Sequence, residues 1–223
     1  MPVPTRETTI IDAPQGLIRA GAGVSPSNAQ VQVHPNTSDL YVAQGLPPYH
    51  ELARSGGGWQ AMNTAALAAL VVRPSTVAMA TLYNGEPAGG KSLIMDAGFA
   101  HNLVGVAGSS YGIWLCVHPV GFTAPTNDIT VRNSLSGRSA GNGSARTLFD
   151  TGATVADDGW FPWGDAGHAV TVTVPGGQVT AQIDGRILIP PTAAISLTVV
   201  ADTTGATFTS GFRWYERIVT LAY

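Results

Sequence analysis

The strongest constraint in this chain is a period of two. HAVTVTV (168–174) alternates apolar residues with Thr, Pro175-Gly176-Gly177 turns the chain, and QVTAQI (178–183) alternates again. Asp184-Gly185 is then a two-residue hairpin signal, followed by RILI. The spacing predicts a β-meander over this stretch. AISLTVVA (194–201) and FRWYERIVTL (212–221) continue the alternation, with Thr203, Thr204 and Gly205 between them. Upstream, VAMATLY (77–83), KSLIMDA (91–97) and GIWLCVHP (112–119) bring the count to eight or more strands at turn spacings that suit a sandwich. A doubly wound α/β chain needs several helical faces patterned with Glu and Lys, and these are absent. The fold class is all-β, an antiparallel β-sandwich.

Composition agrees. Only 11% of the 223 residues are charged, against an average of about 25%. A body with so few charges cannot clothe many solvent-exposed helices. The net charge of −3 offers no basic face to a phosphate backbone or an anionic lipid surface, so neither nucleic acid nor membrane is expected as a partner. No apolar run approaches the roughly 18 to 20 residues of a bilayer span. The amino terminus lacks a basic stretch followed by an apolar core, so no secretory signal is expected and synthesis is placed in the cytoplasm.

Residues 1–28 hold Pro2, Pro4, Pro14 and Pro26, spaced so that neither a helix nor a central strand fits between them. They are expected to form an extended arm, with 29–223 as a single β-sandwich domain. Within that domain AQVQV (29–33) and DLYVA (39–43) read as strands, and PPYHELAR as a brief helix stopped by Ser55 and the three glycines that follow. WQAMNTAALAALVV (59–72) fits a helical period at Leu67, Leu70 and Val71, while its end is strand-like and Arg73-Pro74 stops it. Helix and strand both remain open there. The patch NSLSGRSAGNGSA (133–145) reads as a long mobile loop.

Several motifs touch on chemistry. Gly85-Glu-Pro-Ala-Gly-Gly90-Lys91-Ser92 matches the phosphate-binding pattern GxxxxGK[ST], and Lys91 is the only lysine. That loop must open a helix whose amino terminus points at the phosphates, yet SLIMDAGFAH alternates, and Asn84-Gly85 signals a hairpin. A glycine-rich hairpin loop is the expected structure, and no cofactor is expected. GxSxG occurs around Ser110 and again around Ser139, but strand follows the first and loop the second, where a nucleophile elbow needs a helix. The histidines at 34, 50, 101, 118 and 168 show no metal-binding spacing and read as structural. Cys116, the single cysteine, sits in the apolar run GIWLCV and reads as a small buried hydrophobe. Asp157-Asp158-Gly-Trp160-Phe-Pro-Trp163-Gly-Asp165 places two indoles between carboxylates. Exposed, Trp160 and Trp163 could stack on sugar faces while Asp158 and Asp165 bind hydroxyls or calcium; packed inward, the rings join the core and the acids form turns. The inward arrangement is expected.

WQAMNTAALAALVVRPSTVAMATLYNGEPAGGKSL, GIWLCVHPVG, DGWFPWG, ILIPPTAAISLTVV and the closing WYER resemble a group of tailed-bacteriophage virion proteins. The size, the Pro-rich arm and the antiparallel body are similar to head decoration, or cement, proteins. That resemblance implies a jelly-roll-like trimer on the capsid surface, the major capsid protein and other copies of the same chain as partners, and no catalysis. It implies contact or display roles for the loops at 84–91 and 133–145. A phage tail or fibre module binding glycans is the alternative, and a nucleotide-binding protein the remote one.

Overall fold

The computed structural model describes residues 15–18, 29–32, 50–126, 129–135, 137, 147–164, 166–168 and 177–219. The chain divides into two compact units, Met1–Pro48 and Tyr49–Tyr223. In the first, β1 (Gln15–Ile18) and β2 (Ala29–Gln32) pair antiparallel, with Gln15 opposite Gln32 and Ile18 opposite Ala29. The pairing joins part of the expected arm to the strand expected to begin the body. The expected strand at 39–43 lies outside the described residues.

The second unit opens with the short helix α1 (His50–Arg54), where the sequence places one. Gly56 ends it at a φ of 74°, a left-handed value that suits glycine. Two antiparallel sheets follow. The six-stranded sheet contains β5 (Ala80–Asn84), β7 (Ser110–His118), β9 (Thr147–Thr151), β10 (Phe161–Pro162), β11 (Gly167–His168) and β14 (Ala194–Ala201), in the order β10–β7–β14–β5–β9 with β11 also on β7. The seven-stranded sheet contains β3 (Gly58–Met62), β4 (Leu67–Ala68), β6 (Lys91–Val104), β8 (Arg132–Asn133), β12 (Gln178–Gln182), β13 (Leu188–Ile189) and β15 (Thr207–Ile218), in the order β12–β6–β15–β3–β8 with β4 on β15 and β13 on β6. The protein is an all-β sandwich, as its period of two requires.

The inward faces form one core. Ile113 and Leu115 of β7 and Ile195, Leu197 and Val199 of β14 meet Leu93 and Met95 of β6 and Phe208, Phe212 and Trp214 of β15. Rings cross the gap between the sheets: Tyr111 meets Phe208 edge-on at 4.8 Å, and Phe149 meets Phe212 at 6.4 Å. Each large side chain buried here contributes roughly 1.5–3 kcal/mol.

One open alternative is settled and two expectations change. The stretch 59–72 is strand where it is regular, in β3 and β4, because Trp59 and Ala61 face the core while Gln60 and Met62 do not, which is a period of two. The Asp184-Gly185 hairpin of the expected meander does not form: β12 and β13 both lie along β6, so 178–189 is one edge strand interrupted by a turn. Asp184 (φ 49°) and Gly185 (φ 74°) shape that turn, and the amides of Ile183 and Asp184 both bond the Asp96 carbonyl. The fourteen-residue β6 offers partners to both runs, which outcompetes their pairing with each other. Of HAVTVTV only His168 is described. Finally, Asn84-Gly85 is no hairpin, since β5 and β6 lie in different sheets. The buried Asn84 amide instead donates to the carbonyls of Lys91 and Ile189, and its oxygen accepts from the Glu86 amide, tying the corner between the sheets.

Gly211 sits where β15 pairs with both β3 and β6. A Cβ there would lie 2.1 Å from the Ala61 carbonyl oxygen and 2.8 Å from the Met62 Cα, both backbone atoms that cannot swing aside. Gly112 of β7 has open space at the same point. Gly211→Ala is therefore expected to cost about 3 kcal/mol or more by overpacking, and Gly112→Ala to stay within about 0.5 kcal/mol. Urea denaturation of the two variants checks this; equal stabilities would contradict the packing.

Candidate functional site

Alternation on β7 turns Tyr111, Ile113 and Leu115 into the core and leaves Trp114, Cys116 and His118 on the outer face of the six-stranded sheet. On β14 the same rule leaves Ser196 and Thr198 outside, and on β5 it leaves Thr81. Register then lines them up, because Ser196 is the direct neighbour of Thr81 on one side and of Cys116 on the other. All of them except the half-buried Trp114 are buried, so something covers this outer face.

The cover is the chain around 153–160. Its backbone is laced to residues 75–78: the Ala78 amide bonds the Ala153 carbonyl, and the amides of Val155 and Asp157 bond the carbonyls of Thr76 and Ser75. The Arg73 guanidinium reaches across to the carbonyls of Asp158 and Trp160. Trp160, 2% exposed, then fills a small apolar cluster with Ala78, Cys116, Ala153 and Val155. Phe122 stacks on the His118 ring at 4.5 Å.

Beneath this cover runs a continuous polar row. Thr81 Oγ1 lies 2.8 Å from Ser196 Oγ, Ser196 Oγ lies 2.8 Å from His118 Nε2, and His118 Nδ1 lies 2.7 Å from Asp157 Oδ2. The other carboxylate oxygen of Asp157 accepts the Gly159 amide at 2.8 Å, which fixes its direction. Cys116 Sγ is 3.7 Å from the same His118 Nδ1. Burial lowers the basicity of His118, with Asp157 pulling partly the other way. Partial burial works against the charge of Asp157, but the Gly159 amide and His118 together hold its carboxyl below the ordinary value. At neutral pH the row is thus a neutral imidazole donating from Nδ1 to a carboxylate, with Nε2 free to accept from Ser196. Burial, and then the negative charge of Asp157, push the Cys116 thiol up to about 12, so it is held as S–H.

Hydroxyl, imidazole and carboxylate stand in the order of a hydrolytic triad. Such a triad needs its serine exposed beside oxyanion donors. Ser196 is completely buried in mid-strand with Thr81 as its second partner, so in this fold the row braces three strands and the covering segment. Cys116, His118 and Asp157 form the one cluster of metal-ligand type among the described residues, their ligand atoms all within 4.8 Å of one another.

The sequence-derived sites are distributed differently. Gly85–Ser92 crosses between the sheets and opens the strand β6, so no helix dipole stands behind it. Lys91, whose ammonium a phosphate loop would free, pairs at 3.5 Å with the buried Glu216, which also accepts from Thr147. Ser110 begins β7, meets His168 Nδ1 at 3.0 Å and gives its amide to the Asp202 carboxylate at 3.1 Å, and the strand that follows it leaves no elbow between strand and helix. Trp160 is buried, whereas Trp163 is half-buried, donates to the Gln182 carbonyl and carries the Arg186 guanidinium 5.4 Å above its ring. Asp158 is exposed. Asp165, Ser139 and the loop residues 138–145 lie outside the described residues.

Sequence reading named Cys116, His118 and Asp157 separately and did not join them. One signal was available: Cys116 and His118 are two apart on an expected strand and so share a face. Asp157, Ser196 and Thr81 are joined to them only by register and by the covering segment. Comparison with protein-family models and with curated proteins finds no match to this chain.

With both hydrogen-bond partners of Ser196 buried, Ser196→Ala is expected to strand His118 Nε2 and the Thr81 hydroxyl, at a cost of about 1–3 kcal/mol in chemical denaturation. A neutral result would mean the row carries no stability. Cys116 should resist a chromogenic thiol reagent in the native protein and react fully once the chain is unfolded, and rapid reaction of the native thiol would contradict its burial.

Proposed function

We propose that this chain is a non-enzymatic structural protein of a tailed-phage virion, a head decoration subunit that self-associates and bridges the major capsid protein on the capsid surface. The observation that carries the reading is how the body presents its outside. Apolar side chains stand exposed on a domain with little charge: Val71, Val72, Val104, Val117 and Val120 are between 39% and 65% exposed, and Ile218 is 76% exposed. Ala68 and Val104 flank Thr207 in register at one end of the seven-stranded sheet, so some of this surface is continuous. Weakly charged apolar faces are what an assembly contact uses, because a charge buried there without a partner is costly.

The folding pattern supports the same reading. The chain crosses between the sheets repeatedly, among other places at 85–90, 105–109, 190–193 and 202–206, a double-sheet winding in keeping with a jelly-roll-like body. The side chains of reactive type at the candidate site are enclosed and hydrogen-bonded. A subunit of this kind stabilises a shell by mass action, since it binds the assembled lattice and not its dispersed components.

Light scattering behind size-exclusion chromatography, together with copy number in purified virions, tests the proposal. A trimer of the 23.0 kDa chain, present in numbers comparable with the major capsid protein, is expected. A monomer present in a few copies, whose tryptophan fluorescence shifts saturably with cell-surface polysaccharide, would replace it with the tail or fibre reading.

A further inference from the structure

We propose that Cys116, His118 and Asp157 form a binding site for a divalent cation of the zinc class, which clamps the covering segment 153–160 onto the outer face of the six-stranded sheet. The inference stands on the geometry of the second unit alone and does not rest on the virion reading.

Cys116 and His118 come from one strand face and Asp157 from the segment above it, so the three donors approach a common point from two directions. Zinc bonds thiolate sulfur at about 2.3 Å and imidazole nitrogen or carboxylate oxygen at about 2.0–2.2 Å, which in a tetrahedron sets donors roughly 3.3–3.6 Å apart. The Sγ–Nδ1 separation of 3.7 Å is close to that, and all three donor atoms lie within 4.8 Å of one another, so the sulfur and the carboxylate must draw together by up to about an ångström. The Nδ1–Oδ2 separation of 2.7 Å is a hydrogen bond and must open by about 0.6–0.7 Å once the proton between the atoms is gone. The Gly159 amide aims the Asp157 carboxylate, and both Asp157 and Asp158 put negative potential on the sulfur, which favours a cation there.

The support behind the histidine is built as well. A ligating imidazole normally donates its other N–H to a fixed acceptor, and this bond orients the ring. Ser196 Oγ occupies that position at 2.8 Å from Nε2. Either hydroxyl of the Ser196–Thr81 pair can donate to the other, so the row is satisfied in both directions. Without metal, Ser196 donates to Nε2; with metal on Nδ1, Nε2–H donates to Ser196 and Ser196 to Thr81.

Protons and charge balance. The imidazole keeps its single proton, which changes from Nδ1 to Nε2, and the thiol proton leaves to solvent. Thiolate and carboxylate then neutralise the dication. Sulfur with imidazole selects zinc, cobalt, nickel or copper over magnesium and calcium, which prefer all-oxygen sites. A fourth position is left to water.

Cobalt(II) is the probe, because a thiolate–cobalt bond gives a near-ultraviolet charge-transfer band and tetrahedral coordination gives intense visible bands. Cys116 is the only cysteine, so a charge-transfer band from the untagged full chain has one source. The expected result is saturable appearance of both bands, release of the cobalt by zinc, and a rise of several degrees in the thermal midpoint with zinc. Cys116→Ser should lose the charge-transfer band, and Asp157→Asn, altered at the half-exposed member, should weaken cobalt binding at least tenfold. No band from the folded wild-type chain overturns the proposal. A band whose affinity is unchanged in Asp157→Asn or His118→Gln also overturns it, since that is an adventitious thiol complex only. Should a variant fail to fold by circular dichroism, the wild-type bands and the zinc-dependent midpoint decide alone.

Discussion

The body depends on how closely its two sheets, and the strands within them, approach at the centre. Leu197 of β14 reaches toward β6 so far that a Cβ on Gly98 would lie 3.0 Å from its Cδ1. Within the seven-stranded sheet, Gly211 lets β15 draw up to β3 with backbone against its missing side chain. Interiors at crystal-like density gain dispersion from every such contact, and a cavity or an added methyl there is felt throughout. Phe212, whose ring lies 3.5 Å from where a Cβ on Gly98 would sit, is buried there together with Phe208 and Trp214.

The far side of the six-stranded sheet is enclosed as well, under the segment 153–160. The central strand β14 is buried on both faces, so the polar side chains on its outer face are cut off from water. An unpartnered buried hydroxyl or imidazole costs more than a made hydrogen bond contributes. Thr81, Ser196, His118 and Asp157 answer this collectively, each satisfying the next, and the last of them draws the covering segment down. The order of groups looks catalytic because hydroxyl–imidazole–carboxylate is also the shortest way to carry a hydrogen-bond chain from a buried strand to a partly exposed anion. Enclosure is what separates a brace from a nucleophile. The same enclosure sets a thiol beside Nδ1, the pairing on which the proposed cation site rests.

Much of the fold was legible beforehand, because alternation is local. AISLTVVA, QVTAQI, GIWLCVHP and KSLIMDA each became strand, and PPYHELAR ended in a short helix. Where reading failed, a non-local partner decided. Asp184-Gly185 has the chemistry of a hairpin, yet both of its flanking runs found a long neighbour in β6. Asn84-Gly85 has the same chemistry, yet its strand partners lay in different sheets. In each case a dipeptide set the φ values of a turn and could not set what the emerging strands would pair with.

The candidate site divides along the same line. The amino-acid sequence by itself determined the period of two, the sparse charge, the single cysteine and the shared face of Cys116 and His118, since these follow from residue identity and spacing of two. Only the tertiary structure decided that Ser196 would lie between Thr81 and Cys116, and that a carboxylate 39 residues from His118 would meet its Nδ1. Register between strands far apart in the chain is fixed by the fit of the whole core, and no short segment contains that information.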